Sequence, residues 1–152
     1  MARTAVSGAV VLTQLRKSHP PRSKKPAQQD EEKLMRKDIY WVCVFKVKPE
    51  HFDEFKQVVA PLVAATKQEP GALAYEYNVS DDRTTVHILE HYRDSDAVVS
   101  HVTQTFSTFA ERFSALATVA SFVVYGVPEP AARKILDGFG ATYMTPFDGF
   151  TR

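Results

Sequence analysis

Between Ile39 and Val127 the apolar positions switch repeatedly between a period of two and a period near 3.6, the signature of strands alternating with amphipathic helices. Ile39 to Lys48, IYWVCVFKVK, is dense in β-branched and aromatic residues and stops at Pro49, which predicts a first strand. Pro49 suits the opening turn of a helix, with Glu50, Asp53 and Glu54 near its positive end. Phe52, Phe55, Val59, Leu62 and Val63 then recur at helical spacing, so residues 49–68 read as an amphipathic helix bent at Pro61. Glu69-Pro70-Gly71 closes it, because proline cannot extend a helix and glycine is expected to supply a positive φ. In ALAYEYNVS, Leu73, Tyr75, Tyr77 and Val79 share one face of a second strand, with Ala74, Glu76 and Asn78 on the other. Ser80 to Arg83 supplies a turn, and Thr84 to Tyr92 returns as a third strand. After the cap Asp94-Ser95-Asp96, Val98, Val102, Phe106, Phe109, Phe113 and Leu116 step by three and four, predicting one continuous second helix. Val119 to Val127 reads as the fourth strand, stopped by Pro128.

The order β-α-β-β-α-β predicts an α+β fold: a ferredoxin-like sandwich of four antiparallel strands with both helices on one face. The other sheet face is then uncovered. A homodimer is expected to cover it, two sheets closing face to face as a dimeric α/β barrel around an apolar chamber.

Composition refines this picture in two places. At 152 residues and 44% hydrophobic content the chain supports one core, not two. Residues 1–37 hold nine Lys/Arg against three Asp/Glu, whereas residues 38–152 are acidic, so the chain divides into a basic leader expected to be disordered, a folded domain over 38–128 and a tail over 129–152. The leader reads as a solvated tail ahead of Met35; the alternative is an Arg-rich targeting segment. The acidic body offers no basic face for nucleic acid, and no apolar run is long enough to span a membrane. The single Cys43 reads as a buried thiol in a reducing compartment, which points to the cytoplasm. The tail, DGFGATYMTPFDGFTR, is irregular and aromatic; after a short helix over 129–136 it is expected to pack along the dimer or over the mouth of the chamber.

Three segments, FKVKPEHFDEF, EPGALAYEYNVS and HILEHYRDSDAVVSHVTQTF, resemble in order and spacing the antibiotic biosynthesis monooxygenase (ABM) family of small dimeric α+β barrels. The resemblance covers roughly residues 39–127. It implies a cofactor-independent, quinol-type monooxygenase in which a phenolic or dihydroquinone-type substrate itself delivers electrons to molecular oxygen. It also marks His101 as the family's helix histidine. The best-studied quinone-forming relatives place an asparagine in the cavity, whereas Asn78 falls on the opposite strand face from the tyrosines.

Read from the residues themselves, His101 borders the apolar stripe of its helix, where an imidazole can take a phenolic proton or simply bond a backbone carbonyl. Glu90 interrupts the apolar row Val86, Ile88, Tyr92, as a buried carboxylate that either serves as base or orients the histidine, or pairs structurally with a cation. His101 and Glu90 are therefore the candidate catalytic pair. Tyr75 and Tyr77 are the candidate substrate-binding hydroxyls, with Trp41, Phe45 and Tyr125 as flat walls. His87 and His91 are four apart on a strand, about 13 Å, too far for one ion, and no metal or other cofactor is expected: there is no glycine-rich dinucleotide loop and no thiol pair. The rival to an oxygenase is a non-catalytic small-ligand or stress-related barrel protein, favoured if Glu90 and His101 bond only to backbone.

Overall fold

The computed structural model describes residues 37–150. Its elements run β1 (Ile39–Val47), α1 (Phe52–Thr66, led in by a 3-10 turn at Pro49–His51), β2 (Ala72–Val79), β3 (Thr85–Tyr92), α2 (Ser95–Ser100), α3 (Ala110–Leu116), β4 (Ala117–Tyr125), α4 (Pro130–Asp137) and β5 (Thr142–Met144). The five strands order as β2-β3-β1-β4-β5, with β5 parallel to β4 and the others antiparallel. This is the expected α+β, ferredoxin-like arrangement with one strand added at the edge. The sequence pattern gave no sign of β5, which is three residues long in a glycine-rich tail. No helix among the described residues is long and apolar enough to cross a membrane.

The alternation in β1 sets the two faces. Ile39, Trp41, Cys43, Phe45 and Val47 are buried beneath the helices, where Phe55, Val58 and Leu62 of α1 and Phe113 of α3 pack onto them. Tyr40, Val42 and Val44 point to the opposite, bare face, where their cross-strand partners are His91, Leu89 and His87 of β3. Tyr125 lies on that bare face too, stacked on Tyr40 at 5.3 Å, and so does not wall the same space as Trp41 and Phe45.

Three local departures from the expected pattern matter. Leu73 sits where the β2–β3 register shifts and is half exposed instead of sharing the partly buried row of Tyr75 and Tyr77. Gly71 is not among the positive-φ glycines; its requirement is close approach, since a Cβ there would collide with the Cβ of Ala97. The expected single second helix is broken: Asp94 caps α2 by accepting from the Ala97 N–H at 2.9 Å, but His101–Thr105 form a π-helical turn and Phe106–Thr108 a 3-10 turn before α3 begins. Such turns insert residues into a helix and re-aim the side chains on either side.

Candidate active site

Register assembles the floor of the site. Tyr75 of β2, Glu90 of β3, Trp41 of β1 and Val124 of β4 stand directly opposite one another in a single row across the sheet, with Tyr77, Ile88, Cys43 and Phe122 in the next. All point toward the helices. The roof comes from His101 at the start of the π-helical turn and from Phe106 and Phe113 beyond it. Between floor and roof lies a cavity of about 290 Å³, lined mainly by apolar atoms, and His101, Glu90, Tyr75, Tyr77, Trp41 and Phe45 all border it.

This placement corrects one expectation. The chamber lies within a single subunit, between its sheet and its own helices, and not between two sheets. Alternation along a strand separates two faces but does not say which of them the helices cover.

His101 is buried, 2% exposed, and its ring sits 5.4 Å from that of Tyr75 and 5.2 Å from that of Tyr92. Its Nδ1 lies 2.9 Å from Oε1 of Glu69, and its Nε2 lies 3.7 Å from Oε2 of Glu90. A carboxylate oxygen only accepts, so the Nδ1–H donates to Glu69, while Nε2 faces Glu90 and the cavity. The second distance exceeds hydrogen-bonding length, which leaves room for a third group. Neither residue is tied to backbone in the way a purely structural histidine would be.

Nothing in the sequence singles out Glu69, which reads only as part of a helix-ending Glu-Pro-Gly. It is held opposite His101 by the close packing just described: Gly71, two residues on, abuts Ala97, one helical turn before His101, and the Gly71 carbonyl accepts from the Arg93 N–H at 2.9 Å. No spacing rule links residues 32 apart, so only the paired requirement for a small residue at positions 71 and 97 could have hinted at the contact.

Glu90 accepts a 2.6 Å hydrogen bond from the Tyr92 hydroxyl. Burial raises its pKa above the ordinary carboxylate value; the neighbouring His101 and the hydroxyl of Tyr92 and indole N–H of Trp41 act in the opposite direction. Tyr75 and Tyr77 share a 3.0 Å hydroxyl–hydroxyl hydrogen bond. Burial first, and the charge of Glu90 as well, push both phenols up, so they remain protonated and act as donors. Two hydroxyls sharing one bond leave one proton to direct at a ligand oxygen. Burial pushes the Cys43 thiol up to about 12, which removes it as a nucleophile although it borders the same cavity.

Other candidates lie elsewhere. His91 and His87 are on the bare face, where His91 Nε2 is 3.0 Å from Asp38 Oδ2. Asn78, opposite His87, is also there, outside the cavity. His51 is half-exposed near Glu54, away from the cavity. A broader cleft of about 530 Å³ opens on the bare face between Tyr40, Val42, Leu89 and the tail residues Pro146 to Phe150, without the carboxylate–imidazole–carboxylate arrangement.

The profile of the family described as Antibiotic biosynthesis monooxygenase matches residues 39–119, more than half of the chain and, apart from Phe122 and Val124, all of the sheet floor and roof just described. The chain belongs to this family. Among solved structures it is similar to MupZ from Pseudomonas fluorescens (24% identity, 78% of this chain and 91% of that one, TM-score 0.67). It is also similar to SnoaB from Streptomyces nogalater, described as a cofactor-independent oxygenase (22% identity, 61% and 95%, TM-score 0.52). A Caulobacter crescentus protein provisionally named as an antibiotic biosynthesis monooxygenase shares 27% identity over 63% of this chain and 92% of its own, with TM-score 0.53. No curated protein matches the sequence significantly. The ABM family includes cofactor-independent monooxygenases, and α4 and β5 lie beyond its matched region.

Proposed function

We propose that this ABM-family chain is a cofactor-independent monooxygenase acting on a phenolic or dihydroquinone-type small molecule. The observation that carries the reading is the line Glu69, His101, Glu90, of which His101 and Glu90 border a cavity lined mainly by apolar atoms and Glu69 stands behind the imidazole. Both charged contacts of the imidazole are side chains, which is the arrangement that separates a proton-transfer site from a structural histidine. SnoaB, similar in fold, is described as a cofactor-independent oxygenase, which supports the same choice.

In this mechanism the ring enters between Trp41, Phe45 and Phe106 with its hydroxyl near Nε2 of His101. His101 takes the phenolic proton, Glu69 holds the ring and balances the charge that forms, and Tyr75 or Tyr77 donates to the resulting phenolate oxygen. The phenolate passes one electron to molecular oxygen, and the two radicals combine as a carbon-bound peroxide at an ortho or para ring carbon that bears hydrogen. His101 returns its proton to the distal oxygen. Breaking the O–O bond and losing the ring C–H proton then gives the quinone and one water, so substrate and oxygen balance without an external reductant. The protein contributes binding, orientation and the exclusion of water.

A second copy of the chain is assigned to the bare sheet face, where Tyr40, Leu89 and Val42 otherwise meet solvent. The buried, unpaired Cys43 suits a reducing compartment such as the cytoplasm. The test is oxygen consumption with a panel of hydroquinones and naphthols. His101→Ala is expected to lower kcat/KM by about 10²–10⁴-fold with an unchanged circular dichroism spectrum. Equal rates in the two proteins would remove His101 from the reaction.

A further inference from the structure

The ring contacts that line the cavity form a path to the surface. His101 is fully covered; Phe106, partly covered, stacks toward it at 6.4 Å; and Phe139, at 6.2 Å from Phe106, is 42% exposed. Phe139 borders the cavity together with Leu136, which is buried. Phe139 therefore stands on the rim of the cavity's mouth, together with the exposed Ser107, Ser114 and Val119, and the depth of the cavity is at His101 and Glu90.

Phe139 is mounted differently from the other lining rings. The segment around it is fixed at both ends. At the start of α4 the Glu129 N–H donates to Ser95 Oγ at 2.9 Å, and beyond the turn Thr142–Met144 pair with β4. The two ends are also clamped to each other: the Arg133 guanidinium lies 3.9 Å over the Tyr143 ring, and the Tyr143 hydroxyl donates to Asp137 at 2.6 Å. Between these anchors Phe139 stands on a Gly138-Phe139-Gly140 turn, with Gly140 at φ +75° and open space around it. A short glycine-flanked turn between fixed ends lets one side chain swing while its supports stay in place.

We infer that Phe139 is the specificity-determining gate of the cavity, closing over a bound ring and limiting its size. This rests on the reading of the cavity as the substrate site. A space of about 290 Å³ is at the small end for ligand pockets and suits one or two fused rings with Phe139 closed over them. A third ring would extend into the position of Phe139. The gate lies outside the segment matched to the family profile.

The single tryptophan, Trp41, borders the cavity, so ligand entry and release can be read directly as quenching of its fluorescence in stopped flow. The probes are 1-naphthol and the tricyclic 1-anthrol, with wild type, Phe139→Ala and Phe139→Trp, the last followed through the emission of the probe itself because it carries a second tryptophan. Wild type is expected to bind 1-naphthol and to exclude 1-anthrol. Phe139→Ala should admit both and release 1-naphthol about tenfold faster, whereas Phe139→Trp should slow its entry and exit. Circular dichroism checks that the exposed position tolerates both changes. Identical release rates and the same size limit in wild type and Phe139→Ala, or tight binding of 1-anthrol to wild type, would overturn the gate while 1-naphthol binding and turnover leave the oxygenase reading standing. Absence of a binding signal from either probe in all three proteins would overturn the gate together with the reading of the cavity on which it rests.

Discussion

The two faces of one sheet are made from the same strands and do different work. Along β1 the buried residues Trp41, Cys43 and Phe45 alternate with Tyr40, Val42 and Val44, so each successive residue serves the opposite face. On the covered face a carboxylate sits among aromatic rings, and the helices exclude water from it. On the bare face the same kinds of residue, tyrosines, valines, histidines and a leucine, meet solvent, and the imidazole of His91 pairs with an accessible Asp38. The lesson is that residue type alone does not mark the site. A histidine becomes a candidate catalyst where its partners are buried with it, and the sheet face decides that.

The strongest way to probe the difference is to remove a ring from each face. Phe113 is fully buried, with ring centroids 5.1 Å from Phe45, 5.0 Å from Phe55 and 5.6 Å from Phe106. Phe113→Ala should cost about 3–5 kcal/mol of unfolding free energy in urea, because the cavity below it cannot collapse around the missing ring. Leu89→Ala on the bare face should cost less than about 1 kcal/mol in the isolated subunit. Similar losses at the two positions would mean that the bare face is packed as a core.

The next effect concerns the orientation of His101. Glu69→Gln keeps shape and size but replaces the acceptor that fixes Nδ1, and it should lower kcat/KM by about 10–100-fold while leaving thermal stability within a few degrees. Glu69→Asp should fall between the two, since a shortened carboxylate still accepts from the ring. A purely structural Glu69 would instead lower stability in both variants and spare turnover per folded molecule.

How far the sequence reveals this depends on the kind of contact. The faces of β1, β2 and β3 are legible because a period of two forces Trp41, Glu90, Tyr75 and Tyr77 onto one side, and hairpin pairing then brings them into rows. His101 is legible as a boundary residue from its three-residue step after Val98. Its π-helical turn is not, because the apolar stripe runs on at helical spacing through Leu116. Glu69 is invisible for a different reason: the contact is tertiary, and it depends on how closely Gly71 approaches Ala97. The Leu73 bulge and the short β5 are settled by packing at sheet edges, where periodicity carries little information. Which side of the sheet holds the cavity is not legible, because a dimer and a helix layer are equally good covers for an apolar strand face.

Titration separates the faces more gently. Glu90 has its folded-state pKa raised by burial, so the native chain binds more protons than the unfolded one between the ordinary glutamate value and the raised one. Stability contributed by the protonated carboxyl is full below the ordinary value and is lost as pH rises through the raised one. Glu90→Gln removes that dependence. The variant should gain on wild type in thermal melts as pH increases across the window, by about 1.4 kcal/mol for each unit by which the pKa is raised. A difference between the two proteins that stays constant with pH would show that His101 and Tyr92 fully offset the burial of Glu90.

The smallest expected effect on turnover belongs to the bare face, and it is the one that divides assembly from chemistry. Val42 sits at the centre of that face, between Leu89 of β3 and Val123 of β4. Val42→Lys places a charge where a second copy is proposed to pack, and burying it there without a partner is unfavourable. Sedimentation velocity should show the variant as a single subunit at concentrations where wild type is a dimer. The cavity, with Glu69, His101 and Glu90, is built from one chain on the opposite side of the sheet, so oxygen consumption should stay within about threefold of wild type. A monomeric Val42→Lys that is folded but inactive would mean that the second subunit shapes the cavity after all, and that the two faces are coupled through β1 instead of merely sharing it.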